Sequence, residues 1–232
     1  MDLAKEALIG MGLYEIVTYS FISPKAYGRI AKELPQVVTI SNPLGEDQSI
    51  MRTTLIPSML DVLSRNRSRR VENCKLFELG KIFLPKSLPL KELPEERQIL
   101  SIGMYGEDID FYYLKGIVEA LFEEFGLIER VDFKPMTTDS TFHPGRTATV
   151  EIEGLSIGTI GEIHPKVGAS YGLDIPILLA ELDFDHILEL ADVEKYYSGL
   201  PKFPAVERDL AIVVKEDISA GHIEYLIDKY GG

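Results

Sequence analysis

A single cysteine, Cys74, stands in 232 residues, so no disulfide within the chain can brace the fold. No run of about 18 apolar residues occurs and no basic-then-apolar leader opens the chain, so neither a membrane span nor a secretory address is expected. Basic residues are scarce: 24 Lys and Arg face 37 Asp and Glu, a net charge of −13. Spread evenly, that charge repels polyanions, which argues against a surface committed to DNA and confines any RNA contact to a local patch. Apolar residues are not scarce. With 45% hydrophobic and 26% charged residues the chain has the balance of a soluble, folded, cytoplasmic protein.

Periodicity sketches the elements. Leu3, Ala7, Leu8 and Met11 recur at helical spacing before Gly12, so a helix is expected over 3–12. Residues 15–22 alternate in a two-sided, β-rich pattern and read as an inner strand. A short helix over 24–34, a strand over 37–40, a turn over 41–45 and a helix over 57–66 follow, with Pro57 in the first turn of the last. Strands are expected over 76–84 and 99–105. Phe111, Leu114, Ile117, Leu121 and Phe125 define an amphipathic helix over 110–125, capped by Asp110 and ended by Gly126. Residues 147–163 read as a hairpin turning at Glu153-Gly154, and 177–182 as a further strand.

Hairpins outnumber crossover helices in this order, which makes the fold class α+β, an antiparallel sheet flanked by helices. The apolar pattern lapses over 190–202, then a strand over 209–214 and a helix over 220–230 begin something new. The expected division is 1–195 and 196–232. About 30 residues cannot bury enough surface to stand alone, so the second part is expected to be either incomplete, the favoured reading, or completed by packing on the first.

Seven local strings, in order, give the chain a family likeness: residues 12–21, 41–45, 51–57, 76–83, 142–146, 158–165 and 202–210. Together they resemble the phenylalanine–tRNA ligase beta chain, and the resemblance spans nearly the whole sequence. It implies a class II aminoacyl-tRNA synthetase core over 1–195, followed by the start of a ferredoxin-like anticodon-binding domain. It also implies partners: an alpha subunit, in an assembly of two alpha and two beta chains, and the tRNA for phenylalanine. The complete enzyme would use ATP and magnesium to join the two substrates.

Amino-acid activation needs fixed cations around the phosphates of ATP. Active class II relatives end a strand in a motif similar to Phe-Arg-Asn-Glu; here the similar stretch reads Phe83-Leu84-Pro85-Lys86, with Leu84 at the arginine position. Their second signature, Gly-x-Gly-x-x-Arg, finds neither glycine nor arginine in residues 178–190. No catalytic, cofactor-binding or metal-binding residue is therefore expected in this chain. The alternatives are a stand-alone class II-like paralogue that keeps an activity through unusual residues, or a sensor of a small ligand or RNA.

Several motif residues remain and are read as structural: Arg52, Glu78, Gly80, His143, Pro144, Gly145, Arg146, His164, Pro165, Pro204, Arg208 and Asp209. Arg52 is expected to orient a turn or meet a carboxylate; binding phosphate would require an anion near the next helix. His143 and His164, 21 positions apart without a His-Glu-x-x-His spacing, are expected to cap strand ends beside their prolines. Arg65, Arg67, Arg69 and Arg70 form the densest basic cluster. They could meet tRNA phosphates, meet acidic groups of the alpha subunit, or offset a negative helix end.

Overall fold

The computed structural model describes residues 1–194, 206–215, 218 and 220–231, which fall into two units, Met1–Glu194 and Lys195–Gly232. The first unit contains the strands β1 (Tyr14–Glu15), β2 (Phe21–Ile22), β3 (Ile50–Met51), β4 (Cys74–Leu84), β5 (Glu95–Tyr105), β6 (Val131–Pro135), β7 (Phe142–Ile152), β8 (Leu155–Ile163) and β9 (Leu178–Asp183). Its helices are α1 (Asp2–Gly10), α2 (Lys25–Arg29), α3 (Ile56–Ser68), α4 (Phe111–Glu124), α5 (Pro165–Ser170) and α6 (Phe184–Leu190).

Seven strands form one sheet in the order β1-β4-β5-β9-β8-β7-β6. Every pairing is antiparallel except the short parallel contact of β1 with β4. The small strands β2 and β3 pair separately. Alternation along each strand sends side chains to opposite faces. On one face Phe77, Leu100, Ile102 and Met104 pack under Leu8 of α1, Leu114, Val118 and Leu121 of α4, and Phe184 of α6. On the other, Leu76, Tyr105 and Leu179 pack under Tyr27 of α2, Met59, Leu60 and Leu63 of α3, and Val167 of α5.

Helix α4 matches its sequence pattern closely, because three local signals agree. Asp110 accepts the Tyr113 N–H at 2.8 Å, the buried residues follow one stripe, and Gly126 leaves the helix at φ +68°. A Cβ on Gly126 would lie 1.9 Å from the Asp192 carbonyl oxygen. The β7–β8 hairpin turns where expected: Glu153 and Gly154 both take positive φ, the conformation that a two-residue turn requires.

Four expectations need correction. Residues 15–22 do not form an inner strand: β1 lies at the sheet edge, and beyond Ile16, whose N–H donates to the Phe77 carbonyl at 2.8 Å, the next bond to β4 goes to a side chain, Thr18 N–H donating to Glu78 Oε1 at 3.1 Å. The strand over 37–40 reduces to one bridge, Thr39 to Ile50, because β3 offers only two residues for pairing. The helix over 24–34 stops at Arg29, since Ala31 takes φ +57° and turns the chain away. Residues 209–214 form no strand, there being no described neighbour to complete a ladder. Strand β6 and helices α5 and α6 are too short to announce themselves by periodicity.

In the second unit, helix α7 (Ala220–Tyr230) occupies the expected span. Among the described residues no helix is long and apolar enough to cross a membrane.

Candidate functional site on the sheet face

The face of β4, β5 and β9 beneath α3 carries a polar row inside an apolar sheet. Glu78 pairs in register with Ser101, and Ser101 with Glu181, so the three side chains share one face across three strands. Both carboxylates are claimed by the segment that enters α3.

Arg52, which directly follows β3, is 2% exposed and reaches Glu78 Oε1 through Nη1 at 3.1 Å. The same nitrogen donates to Thr18 Oγ1 at 2.8 Å, and Nε donates to the Lys81 carbonyl at 2.9 Å. Thr18 Oγ1 in turn donates to Glu78 Oε2 at 2.7 Å. Burial lowers the Arg52 guanidinium from its usual range, against the opposing pull of Glu78 and Glu181. Both Glu78 oxygens accept hydrogen bonds and Arg52 donates through Nε and Nη1, the kind of added bonding that lets a buried pair persist.

Gly80 makes that placement possible. A Cβ there would lie 2.5 Å from Arg52 Nη2 and 3.1 Å from Leu55 Cδ2. On the neighbouring strand, opposite Leu76, a Cβ on Gly103 would meet Met59 Cγ at 2.5 Å, so α3 sits directly on the strands. Glu181 accepts from Leu55 N–H at 2.7 Å and from Thr54 Oγ1 at 2.7 Å, capping the approach to α3. Burial raises the Glu181 carboxyl above its ordinary range, and those hydrogen bonds only partly offset the shift. Ser101, fully buried between the two carboxylates in register, has no partner for its hydroxyl.

Each ionisable group of this polar row has a partner within the fold. Its arginine neutralises a carboxylate, and its second carboxylate serves a helix start. Leu84, at the end of β4, packs with Leu55, Ile82 and Ile99. Beyond β9, Asp183 caps α6 by accepting the His186 N–H at 3.2 Å, and Phe184 is wholly buried. Among the described residues no group of three or more His, Cys, Asp or Glu side chains is placed to hold a metal ion.

The other motif residues lie elsewhere. His143 Nδ1 accepts the Gly145 N–H at 3.1 Å, with Pro144 and Gly145 exposed, and Arg146 pairs with Glu162 at 2.6 Å. His164 caps α5 through Nδ1, which accepts the Lys166 N–H at 3.1 Å, and Pro165 opens that helix. The arginine cluster closes α3: Arg65 Nε reaches the Asp61 carbonyl at 3.4 Å, Arg67 lies 3.7 Å from Asp174, and Arg69 and Arg70 are exposed. Arg70 holds φ +63° where helix ends usually place glycine. In the second unit Arg208 Nη1 donates to the Glu207 carbonyl at 3.0 Å and Asp209 is exposed, while Lys202 and Pro204 lie outside the described residues.

Thr18, Thr54, Ser101 and Glu181 were not singled out from sequence. The available signal was a polar residue at an inward position of an apolar strand, Ser101 in Ile-Leu-Ser-Ile and Glu181 in Leu-Leu-Ala-Glu-Leu.

A family model described as phenylalanyl tRNA synthetase beta chain CLM domain matches residues 1–184. The phenylalanine–tRNA ligase beta subunit of Clostridium tetani is 46% identical over 235 residues, and that of Clostridium acetobutylicum 43%. In both cases all of this chain is covered but 29% of the relative, so the chain spans under a third of their length. A pyrrolysyl tRNA synthetase structure from Desulfitobacterium hafniense superposes with a TM-score of 0.67 at 16% identity, covering 82% of this chain and 66% of that one. At that identity the likeness establishes the fold, a class II synthetase-like core.

Proposed function

The chain belongs to the phenylalanyl-tRNA synthetase beta-chain family, and we propose that it serves as a non-catalytic scaffold within a phenylalanine–tRNA ligase. In this reading the complete enzyme, two alpha and two beta chains, attaches phenylalanine to its tRNA in the cytoplasm with ATP and magnesium. This chain holds the alpha subunit and helps position the tRNA. Residues 1–195 are the synthetase-like core, and 196–232 begin a ferredoxin-like anticodon-binding domain.

The observation that carries the reading is the filled sheet face. Where nucleotide chemistry would need open space and free cations, Arg52 is held by Glu78, Thr18 and Lys81, Arg52 and Leu55 close over Gly80, and Met59 and Leu63 of α3 close over Gly103. Leu84 supplies no charge for a phosphate.

Two surfaces suit the scaffold role. Tyr14, Val17 and Tyr19 are 74%, 88% and 75% exposed, and they lie on or just beyond the edge strand β1. An exposed apolar stripe beside an open strand edge is a typical protein-docking surface, and we assign it to the alpha subunit. Arg65, Arg67, Arg69 and Arg70 are the basic patch available to the tRNA or to acidic groups of that subunit.

Light-scattering chromatography of the chain with the alpha subunit of the same organism tests this. One larger co-eluting species is expected, lost in Val17→Glu/Tyr19→Glu. Titration with ATP is expected to release no binding heat; saturable ATP binding would favour the stand-alone enzyme.

A further inference from the structure

A cleft of about 340 Å³ lies away from the sheet face described above, lined by Ala31, residues 137–140, Phe142, Pro144, His164, Lys166 and Val167. Its volume falls within the range of small-molecule sites, about 300–1,000 Å³. Three hydrogen bonds tie its walls together. Ser140 Oγ donates to the Ala31 carbonyl at 2.7 Å, Thr141 Oγ1 to the Ile30 carbonyl at 2.8 Å, and His164 N–H to the Thr141 carbonyl at 2.9 Å. The cleft is thus built from segments more than 100 residues apart in the chain, and its shape is set before any ligand arrives.

The hydrogen-bonding groups left over are mostly donors. Nδ1 of His164 is occupied in accepting the Lys166 N–H, so the neutral ring carries its proton on Nε2, a donor. Among the described residues the Lys166 ammonium meets no carboxylate, and no protein acceptor takes the backbone N–H of Thr137, Thr138 or Ser140. Two main-chain acceptors and the carboxylate are already engaged. The carbonyls of Ile30 and Ala31 receive the two hydroxyls, and the one acidic side chain, Asp139, is held by the Thr141 N–H at 2.9 Å and by Lys32 at 3.0 Å. Burial works to raise the Asp139 carboxyl, but those two partners outweigh it and hold it below its ordinary value, so it stays a paired anion.

We propose that this cleft is an oxyanion site, binding a phosphate-type group through Lys166, His164 Nε2, the hydroxyls of Thr137 and Thr138 and the N–H groups of Thr137, Thr138 and Ser140. Such a group arrives either as a free phosphate or as a backbone phosphate of single-stranded RNA. On a chain of net charge −13, saturable anion binding has to come from a local arrangement of donors, which sets it apart from nonspecific attraction.

The test is a two-dimensional amide NMR titration of the whole chain with inorganic phosphate, at constant ionic strength set by chloride. Saturable shifts confined to residues 137–140 and 164–167 are expected. Lys166 is exposed and its backbone N–H is untouched by Lys166→Ala, so that variant should fold normally while weakening binding about tenfold, the loss expected for one charge-assisted bond. Lys166→Arg should retain it. A short single-stranded RNA moving the same resonances at lower concentration assigns the site to a nucleic-acid phosphate; response to phosphate alone assigns it to a small oxyanion. Shifts that scatter over the surface, or a Lys166→Ala variant that binds as the parent does, overturn the proposal.

Discussion

The two faces of the central sheet solve the same packing problem with different chemistry. Beneath α1, α4 and α6 the contact is wholly apolar, with Phe77, Leu100 and Ile102 meeting Leu114, Leu121 and Phe184. Beneath α3 the strands present Glu78, Ser101 and Glu181, and the helix is joined to them by an ion pair and a carboxylate cap. The first face gains stability from area removed from water and tolerates volume-conserving change. The second depends on each polar atom finding its partner. It can therefore fail at a single position.

The sharpest way to break the contrast is to remove Glu78. Glu78→Ala leaves Arg52 charged, 2% exposed and without its carboxylate, and a loss of about 3–5 kcal/mol in urea unfolding is expected. Replacing both partners, Arg52→Met with Glu78→Leu, should recover much of that loss, because no unpaired charge remains. Leu121→Ala on the apolar face opens a cavity and is expected to cost about 2–5 kcal/mol by the same measurement, with no apolar partner change able to rescue it by charge removal. A comparable cost on both faces would show that the polar face is as essential as the apolar one.

Glu181 sharpens the comparison through pH. Its folded-state carboxyl lies above the unfolded value, so the folded chain holds the proton more tightly between the two. Its contribution is fully present below the unfolded pKa and is lost as pH rises through the folded pKa. Glu181→Gln keeps an oxygen for Leu55 and Thr54, and it should flatten that decline when unfolding free energies are measured across the acidic range. The smallest effect belongs to Ser101. Ser101→Ala removes a buried hydroxyl without a partner, and stability should stay level or rise by up to about 1 kcal/mol.

The apolar face was largely legible in the sequence. The α4 stripe, its Asp110 cap and Gly126, and the Glu153-Gly154 turn all express local rules that a linear reading captures. The polar face was half legible. Arg52, Glu78 and Gly80 stood out within family-like strings, but Thr18, Thr54 and Glu181 join them through folding alone, and no periodicity links residues so far apart. The segment between β1 and β2 misled for the same reason. Its alternation imitates a strand, while its actual partners are the Glu78 carboxylate and Arg52.

The sheet face beneath α3 also bears on the order in which the molecule assembles. Thr18 and Glu78 are 60 positions apart, and Thr54 and Glu181 are 127 apart. Bonds that close such long loops gain nothing until the intervening strands are already aligned, so they belong after the rate-limiting barrier to folding. Weakening them would then leave the refolding rate nearly unchanged and shorten the lifetime of the native state. The polar row is a latch on the finished fold, setting how long the structure lasts more than how fast it forms.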